Sequence, residues 1–213
     1  MSVQALSDLA RPHQLEIFGV LNLTPEDGFG PGVLALLGPR EPGFWAHVTS
    51  TPEFNDGQPD PLDRWSRRTI DSIAEQIGGT SAFPFGEPLR PFMTWALRSG
   101  RAWSSPVGIL VHDTAGLMVS YRGAVILPNI TVDAPEAARP CETCVGQPCL
   151  IACPPRALTR DGYDLPRCHA FLDTEDGAAC MTKGCAVRRS CPQGSSYGRL
   201  EAQSSYHMGL FHR

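Results

Sequence analysis

The sequence predicts an α+β protein of two domains, and three observations support that prediction. Segments with helical periodicity alternate with short strand-like runs through the first 130 residues. All eight cysteines lie between Cys141 and Cys191. The 21 glycines and 20 prolines follow no repeat period, which is typical of a chain with many turns. We therefore predict an α+β domain over residues 1–132 and a small cysteine-rich domain over residues 133–213.

The most regular element of the first domain is a helix predicted over residues 61–77. Its apolar residues keep close to a 3.6-residue period, and the pair Gly78-Gly79 is a typical helix stop. Asp60 or Asp63 is the expected cap at its start.

Shorter segments complete the prediction for this domain. Residues 15–23 predict a strand, and residues 31–37 predict a short helix ended by Gly38. A second short helix is expected around residues 93–98. Two strand-like runs follow, over residues 107–112 and 117–127, separated by a turn at 113–116.

Composition excludes several classes of function. The net charge of −4 argues against a broad nucleic-acid surface, so no nucleic-acid partner is expected. No run approaches the roughly 20 apolar residues that a membrane span needs. Residues 1–11 lack the pattern of a secretory signal, so we expect a cytoplasmic protein. In a reducing compartment, cysteines are more often ligands than disulfide partners.

The first group of cysteines has the spacing of an iron–sulfur site. It reads Cys141-x2-Cys144-x4-Cys149-x3-Cys153-Pro154. Two-cluster ferredoxins hold one cube with three closely spaced cysteines and send a fourth, followed by proline, to the other cube. The middle spacing here is longer than in those proteins.

The second group is more widely spaced and again ends in a Cys-Pro pair. It consists of Cys168, Cys180, Cys185 and Cys191-Pro192. If each terminal cysteine crosses to the other cube, the eight ligands form two sets. The first set is Cys141, Cys144, Cys149 and Cys191. The second set is Cys153, Cys168, Cys180 and Cys185.

Structural zinc, a single cluster, disulfides and covalent haem are the alternatives to two [4Fe-4S] clusters. Structural zinc needs only four thiolates, fewer than this chain supplies. A single cluster with four spare cysteines and a set of disulfides are further alternatives. Covalent haem needs Cys-x-x-Cys-His, and Val145 follows Cys144. Two clusters remain the preferred interpretation.

Several motifs resemble a known family. The run from Cys141 to Pro154, the segment Arg167-Cys-His-Ala-Phe-Leu172 and the run Gly184-Cys185 to Cys191-Pro192 resemble the ferredoxin-like part of epoxyqueuosine reductases, a module shared with reductive dehalogenases. The segment from Cys180 to Pro192 and the residues Tyr206-His-Met208 also resemble short bacterial ferredoxin-like proteins. Leu62-Asp-Arg-Trp65 and Gly108-Ile-Leu-Val-His112 extend the resemblance over most of the chain.

The resemblance implies a nitroreductase-like N-terminal domain attached to the two-cluster ferredoxin-like domain. In epoxyqueuosine reductases the N-terminal domain holds cobalamin, and the clusters supply it with electrons. The resemblance therefore implies a cobalamin or flavin site in the first domain of this chain as well. His112, Tyr121 and Arg122 are the candidate residues for binding that cofactor, because an arginine fork and a phenol can hold a phosphate, amide or carboxylate. A structural histidine and a surface ion pair are the alternative roles of His112 and Arg122.

Two functions are consistent with these features. The first is an electron-transfer protein whose two [4Fe-4S] clusters pass electrons between redox protein partners. The second is an oxidoreductase in which the clusters reduce a cobalamin or flavin that acts on a small-molecule substrate. A redox or oxygen sensor is a weaker third hypothesis. The sequence predicts electron handling, and leaves open whether the chain is itself an enzyme.

Overall fold

The computed structural model describes residues 2–133 and 137–213, which mix helices and strands as predicted. The chain divides into two compact units. The first unit is Met1–Ala102 with Ser120–Ala137, and the second is Trp103–Val119 with Ala138–Arg213. Residues 103–119, which the sequence interpretation placed in the first domain, thus belong with the cysteines. Residues 134–136 of the predicted interdomain connection lie outside the described residues.

The helices of the described residues are α1 (Val3–Ala10), α2 (Gly43–Thr49), α3 (Pro52–Asn55), α4 (Pro61–Ile77), α5 (Phe92–Arg98), α6 (Leu165–Leu172), α7 (Ala178–Lys183), α8 (Ala186–Arg189) and α9 (Glu201–Phe211). The strands are β1 (Leu15–Asn22), β2 (Gly32–Pro39), β3 (Thr80–Ala82), β4 (Ala102–Ser104), β5 (Leu110–His112), β6 (Gly123–Pro128), β7 (Leu158–Thr159) and β8 (Gly162–Tyr163).

The first unit is organised around an antiparallel sheet with strand order β1-β2-β6-β3. The central strand β2 is buried at every position, and its Leu34 is opposite Leu21 on one side and Ile126 on the other. A strand with neighbours on both edges and cover on both faces must be apolar throughout. The largest fully buried side chains of this unit are Leu6, Leu15, Phe18, Leu34, Leu36, Leu37, Phe44, Trp65, Ile70, Ile73 and Trp95.

The prediction of a helix over residues 31–37 is wrong, because this segment is most of β2. Its unbroken run of valine, leucine and alanine has no period to distinguish a buried strand from a buried helix. Pairing with β1 and β6 decides the outcome. Here tertiary context overrides the helical propensity of leucine and alanine.

The prediction of α4 is confirmed at both ends. Its apolar positions are buried, and Gly78 ends it with a φ of 66°, a left-handed conformation that favours glycine. Asp60 precedes the helix but makes no side-chain capping hydrogen bond, and Asp63 lies in the first turn. The buried face consists of Leu62, Trp65, Ser66, Thr69, Ile70, Ile73, Ala74 and Ile77.

The two strands predicted after α5 are shorter than expected and do not pair with each other. The first is reduced to β5, which pairs with β4, and the second begins only at Gly123 as β6. The turn between the two runs is present as predicted. His112 and Gly116 exchange backbone hydrogen bonds of 3.0 Å across it. The helix predicted around residues 93–98 is confirmed as α5.

The second unit has short helices, two-stranded ribbons and a small apolar core. Six buried residues form that core, and partly buried cysteines pack against it. In the part of the chain that the structure covers, no helix combines the length and apolar character needed to cross a membrane. The core residues are Val107, Val111, Leu117, Cys149, Leu158 and Val187, and the cysteines packed against them are Cys141, Cys153, Cys185 and Cys191.

Candidate metal centres

One cavity in the second unit is lined by four thiols, three of them close together in sequence and the fourth about forty residues later. Its volume is about 360 Å³, and the thiols are those of Cys141, Cys144, Cys149 and Cys191. They are the four cysteines that the spacing assigned to the first set. The apolar part of the cavity lining consists of Val111, Leu117 and prolines. The polar part consists of Thr143, Gln147 and Gln193.

Tight turns bring the thiols of the first set together. Cys149 lies in the short helical turn Pro148–Leu150, and Cys191 directly precedes a similar turn, Pro192–Gly194. Proline at the start of such a turn is well tolerated, because its missing N–H would have no partner there. The Cys191-Pro192 pair therefore marks a place where the backbone changes direction.

The predicted turn at residues 113–116 forms part of the support for Cys191. Gly116 has a φ of +54°, and a Cβ atom built on it would lie 2.4 Å from the backbone nitrogen of Gly194. The same Cβ would lie 3.0 Å from Sγ of Cys191. The side-chain amide of Gln193 also donates a hydrogen bond to the carbonyl of Asp113. Only a glycine permits this approach of the two turns.

The thiols of the first set are close enough to affect one another's ionisation. Burial raises the pKa of the Cys141 thiol above its ordinary value. The thiols of Cys149, Cys191 and Cys144 raise the pKa of Cys141 further, since each would carry the same charge. Burial and the same kind of repulsion raise the pKa of Cys149. Four thiolates in this arrangement require a cation or a positively charged cluster core to offset their charge.

The second set is brought together around Cys168 on α6. Burial raises the pKa of Cys168, and the thiols of Cys185, Cys153 and Cys180 raise it further, against the lowering effect of a hydrogen bond from Tyr163. These three neighbours are the other members of the predicted second set. Cys180 is buried on α7, and Cys185 lies at the start of α8.

Hydrogen-bond donors point at sulfur atoms of the second set. The backbone N–H groups of Ala157 and Leu158 donate to Sγ of Cys153, at 3.2 and 3.4 Å. The hydroxyl of Tyr163 donates to Sγ of Cys168 at 3.4 Å. Loss of water around that hydroxyl, the bond to Cys168 and the nearby thiols raise the pKa of Tyr163, so the phenol keeps its hydrogen. Donors of this kind stabilise negatively charged sulfur.

Arg188 places a positive charge beside the second set. Its guanidinium donates to the carbonyl of Leu117, and the thiol of Cys185 and the hydroxyl of Tyr163 are its electrostatic neighbours. Burial lowers the pKa of Arg188, and those two neighbours oppose the shift. Because arginine stays charged in proteins, this guanidinium favours negative charge on the nearby sulfurs.

Neither thiol set has the geometry of a site for a single metal ion. Within residues 2–133 and 137–213, no three His, Cys, Asp or Glu side chains form a group suited to one metal ion. A single zinc ion needs its ligands to meet at one point, about 2.3 Å from the metal. The thiolates that hold a cube each bind a different iron atom, so they surround a volume instead. Four thiols lining a cavity are compatible with the second arrangement.

The three residues predicted to bind a further cofactor are divided between the units. His112 belongs to the second unit, where it is fully buried and its Nδ1 accepts hydrogen bonds from the backbone of Thr114 and Ala115. Tyr121 and Arg122 belong to the first unit.

Tyr121 and Arg122 have contacts within the first unit. The ring of Tyr121 lies edge-on to Phe18, with centroids 6.3 Å apart. Arg122 Nη1 lies 3.9 Å from Asp63 Oδ1, and its backbone N–H donates to the carbonyl of Leu37. The role of His112, Tyr121 and Arg122 in cofactor binding stays a prediction.

Sequence reasoning missed Tyr163 and the glycine contact at Gly116. Tyr163 lies in a two-residue strand with no motif around it, and only the fold brings its hydroxyl to Cys168. The sequence pattern predicts a turn at Gly116, but its spatial neighbour Gly194 is distant in sequence. No protein-family model and no curated protein matches this chain.

Proposed function

We propose that this protein is an electron carrier that holds two [4Fe-4S] clusters, one in each thiol set. The observation that carries the proposal is the cavity lined by Cys141, Cys144, Cys149 and Cys191. These residues come from two separate parts of the sequence, and a disulfide framework would not require all four to face one space. Each cluster would accept and release one electron.

The surroundings of the thiols are suited to electron transfer. The apolar core around Leu117 and Val187 is in contact with cysteines of both sets, so the two proposed clusters share one packed environment. A rigid, apolar environment limits reorganisation of solvent when charge moves. The donors to Cys153 and Cys168 offset the negative charge of the bound sulfurs.

Metal content is the first test of the proposal. Protein purified without oxygen is expected to contain about eight iron and eight sulfide per chain. Titration of the same preparation with cobalamin and with FMN, followed by visible spectroscopy, tests the reductase hypothesis. Tight binding of either cofactor with a changed spectrum would support a reductase. About four iron per chain, or zinc in place of iron, would contradict two clusters.

Paired variants test how the cysteines divide between the clusters. Cys144→Ser with Cys149→Ser removes two ligands from the first set only, and about four iron should remain. Cys144→Ser with Cys180→Ser removes one ligand from each set, so both clusters should be weakened. Equal iron loss in the two double variants would show that the grouping is incorrect. The number of substitutions is the same in both, which makes each the control for the other.

A further inference from the structure

The ring of Tyr163 is held in place by an aromatic stack beside the second thiol set. Its plane lies 11° from that of Phe211, with ring centroids 6.3 Å apart. Phe211 in turn stacks on His169, with centroids 4.7 Å apart and an angle of 20°. His169 directly follows Cys168, the residue that accepts the Tyr163 hydroxyl. The two ends of this stack therefore meet at the same part of α6.

A donor held in this way affects the two redox states of a cluster unequally. Reduction adds one negative charge, which is shared between the iron atoms and the sulfurs, including the ligand sulfurs. A hydrogen bond to a ligand sulfur therefore stabilises the reduced state more than the oxidised state. The strength of the effect depends on a fixed geometry, because a mobile hydroxyl would turn to water instead.

We infer that Tyr163 tunes the second cluster, raising its reduction potential through the O–H···S hydrogen bond to Cys168. The inference rests on the proposed function, since it needs a cluster bound by the second set. Tyr163 acts on the cluster through its hydrogen bond to Cys168 and is a positioning residue. It does not carry the electron itself. The stack with Phe211 and His169 keeps the hydroxyl of Tyr163 within hydrogen-bond distance of Sγ of Cys168.

The test is a potentiometric titration of Tyr163→Phe, followed by EPR of the reduced clusters. Phenylalanine keeps the ring and its stack and removes only the hydroxyl. One of the two reduction steps is expected to shift to lower potential, with its one-electron reduction constant lowered about threefold to tenfold. Tenfold corresponds to about 59 mV for one electron. The other step should be unchanged.

Thr182→Val is the matched control. Thr182 lies two residues from Cys180, and its hydroxyl donates to the backbone carbonyl of Ala178 at 2.8 Å instead of to sulfur. Valine has a similar shape, so this variant also removes one hydroxyl close to the second set. Both reduction steps should match those of the parent protein.

A second measurement covers the case in which Tyr163→Phe loses iron. Replacement of Tyr163 by 3-fluorotyrosine keeps the hydroxyl and makes it a stronger donor, so the same step should move to higher potential. Unchanged potentials in Tyr163→Phe at full iron content would overturn the inference alone. A parent protein without clusters would overturn the proposed function and the inference with it.

Discussion

The Nδ1 atoms of His169 and His212 lie 2.7 Å apart, and the two rings are stacked with centroids separated by 5.0 Å. Nε2 of His212 is 2.8 Å from a carboxylate oxygen of Asp173. A carboxylate can only accept, so this nitrogen carries the hydrogen. The two Nδ1 atoms share one hydrogen, so one of them donates and the other accepts. The chain end after α9 is thereby tied to α6, the helix that bears Cys168.

The variant His212→Ala should loosen α9 without unfolding the protein. It removes two hydrogen bonds and leaves Nδ1 of the partly buried His169 without its partner. At about 0.5–1.5 kcal/mol for each bond, the expected loss is about 1–3 kcal/mol in the local stability of α9. Hydrogen exchange of the backbone amides of residues 201–211 measures that loss. Arg213→Ala, at the exposed neighbouring position, is the control, and equal exchange in both variants would contradict the prediction.

The variant Gly116→Ala should disrupt the first thiol set. Alanine pays about 1–2 kcal/mol for a left-handed backbone, and its Cβ would overlap the backbone of Gly194. We expect a measurable fall in the free energy of unfolding and retention of about four iron per chain, those of the second set.

The variant Gly108→Ala distinguishes between the two expected causes of destabilisation in Gly116→Ala, which are backbone strain and overlap with Gly194. Gly108 has a φ of +78°, but a Cβ there would meet nothing within 4 Å. The control therefore carries the backbone strain without the overlap, and it should keep its full iron content. Loss of iron from Gly108→Ala to the same extent would show that contact with Gly194 is unimportant.

The buried carboxylate of Asp27 should make the first unit sensitive to acid. Burial alone would raise the pKa of Asp27, but hydrogen bonds from Arg98, from the amide of Thr24 and from Trp95 outweigh it and lower the pKa from 3.8 to about 2. Arg98 donates to both carboxylate oxygens, at 2.7 and 3.0 Å. Because the folded pKa lies below the unfolded one, the stabilisation is present above pH 4 and lost as the pH falls towards 2.

The variant Asp27→Asn should abolish this dependence of stability on pH. It should also lower the free energy of unfolding at pH 7 by about 2 kcal/mol. Urea unfolding of parent and variant, followed by tryptophan fluorescence at pH 7 and pH 3, measures the difference between them. The difference should shrink in acid. Any loss of the proposed clusters at low pH would affect both proteins and cancel in the comparison. Asp8→Asn, which makes the same substitution at an exposed carboxyl of α1, is the control variant.

Local patterns predicted those elements that do not depend on distant partners. Helix α4 has a clear apolar face and a glycine stop, so its bounds were predicted correctly. The segment that forms β2 has an equally strong apolar run, but its conformation is decided by pairing with β1 and β6. The pairing of β6 with β2 joins residues about ninety positions apart, and no local signal specifies it.

The grouping of the thiols is easier to infer than their surroundings. Cysteine is a rare residue, and both the spacing of the cysteines and the prolines that follow them can be read from the sequence. The two sets inferred from that spacing consist of thiols that lie near one another in the structure. The donors to those thiols leave no such pattern. A tyrosine such as Tyr163 gains its role only when β7 and β8 pair and position it against α6.

The second unit is assembled from two stretches of chain, and this has a consequence for synthesis on the ribosome. The 103–119 stretch emerges well before the first cysteine, and Asp113 meets Gln193 only after a further 80 residues have been added. The proposed cluster of the first thiol set could therefore bind only after Cys191 and Gln193 have been translated. A shortened gene that begins at the first cysteine would encode all eight cysteines, but it would lack the residues against which Cys191 is packed.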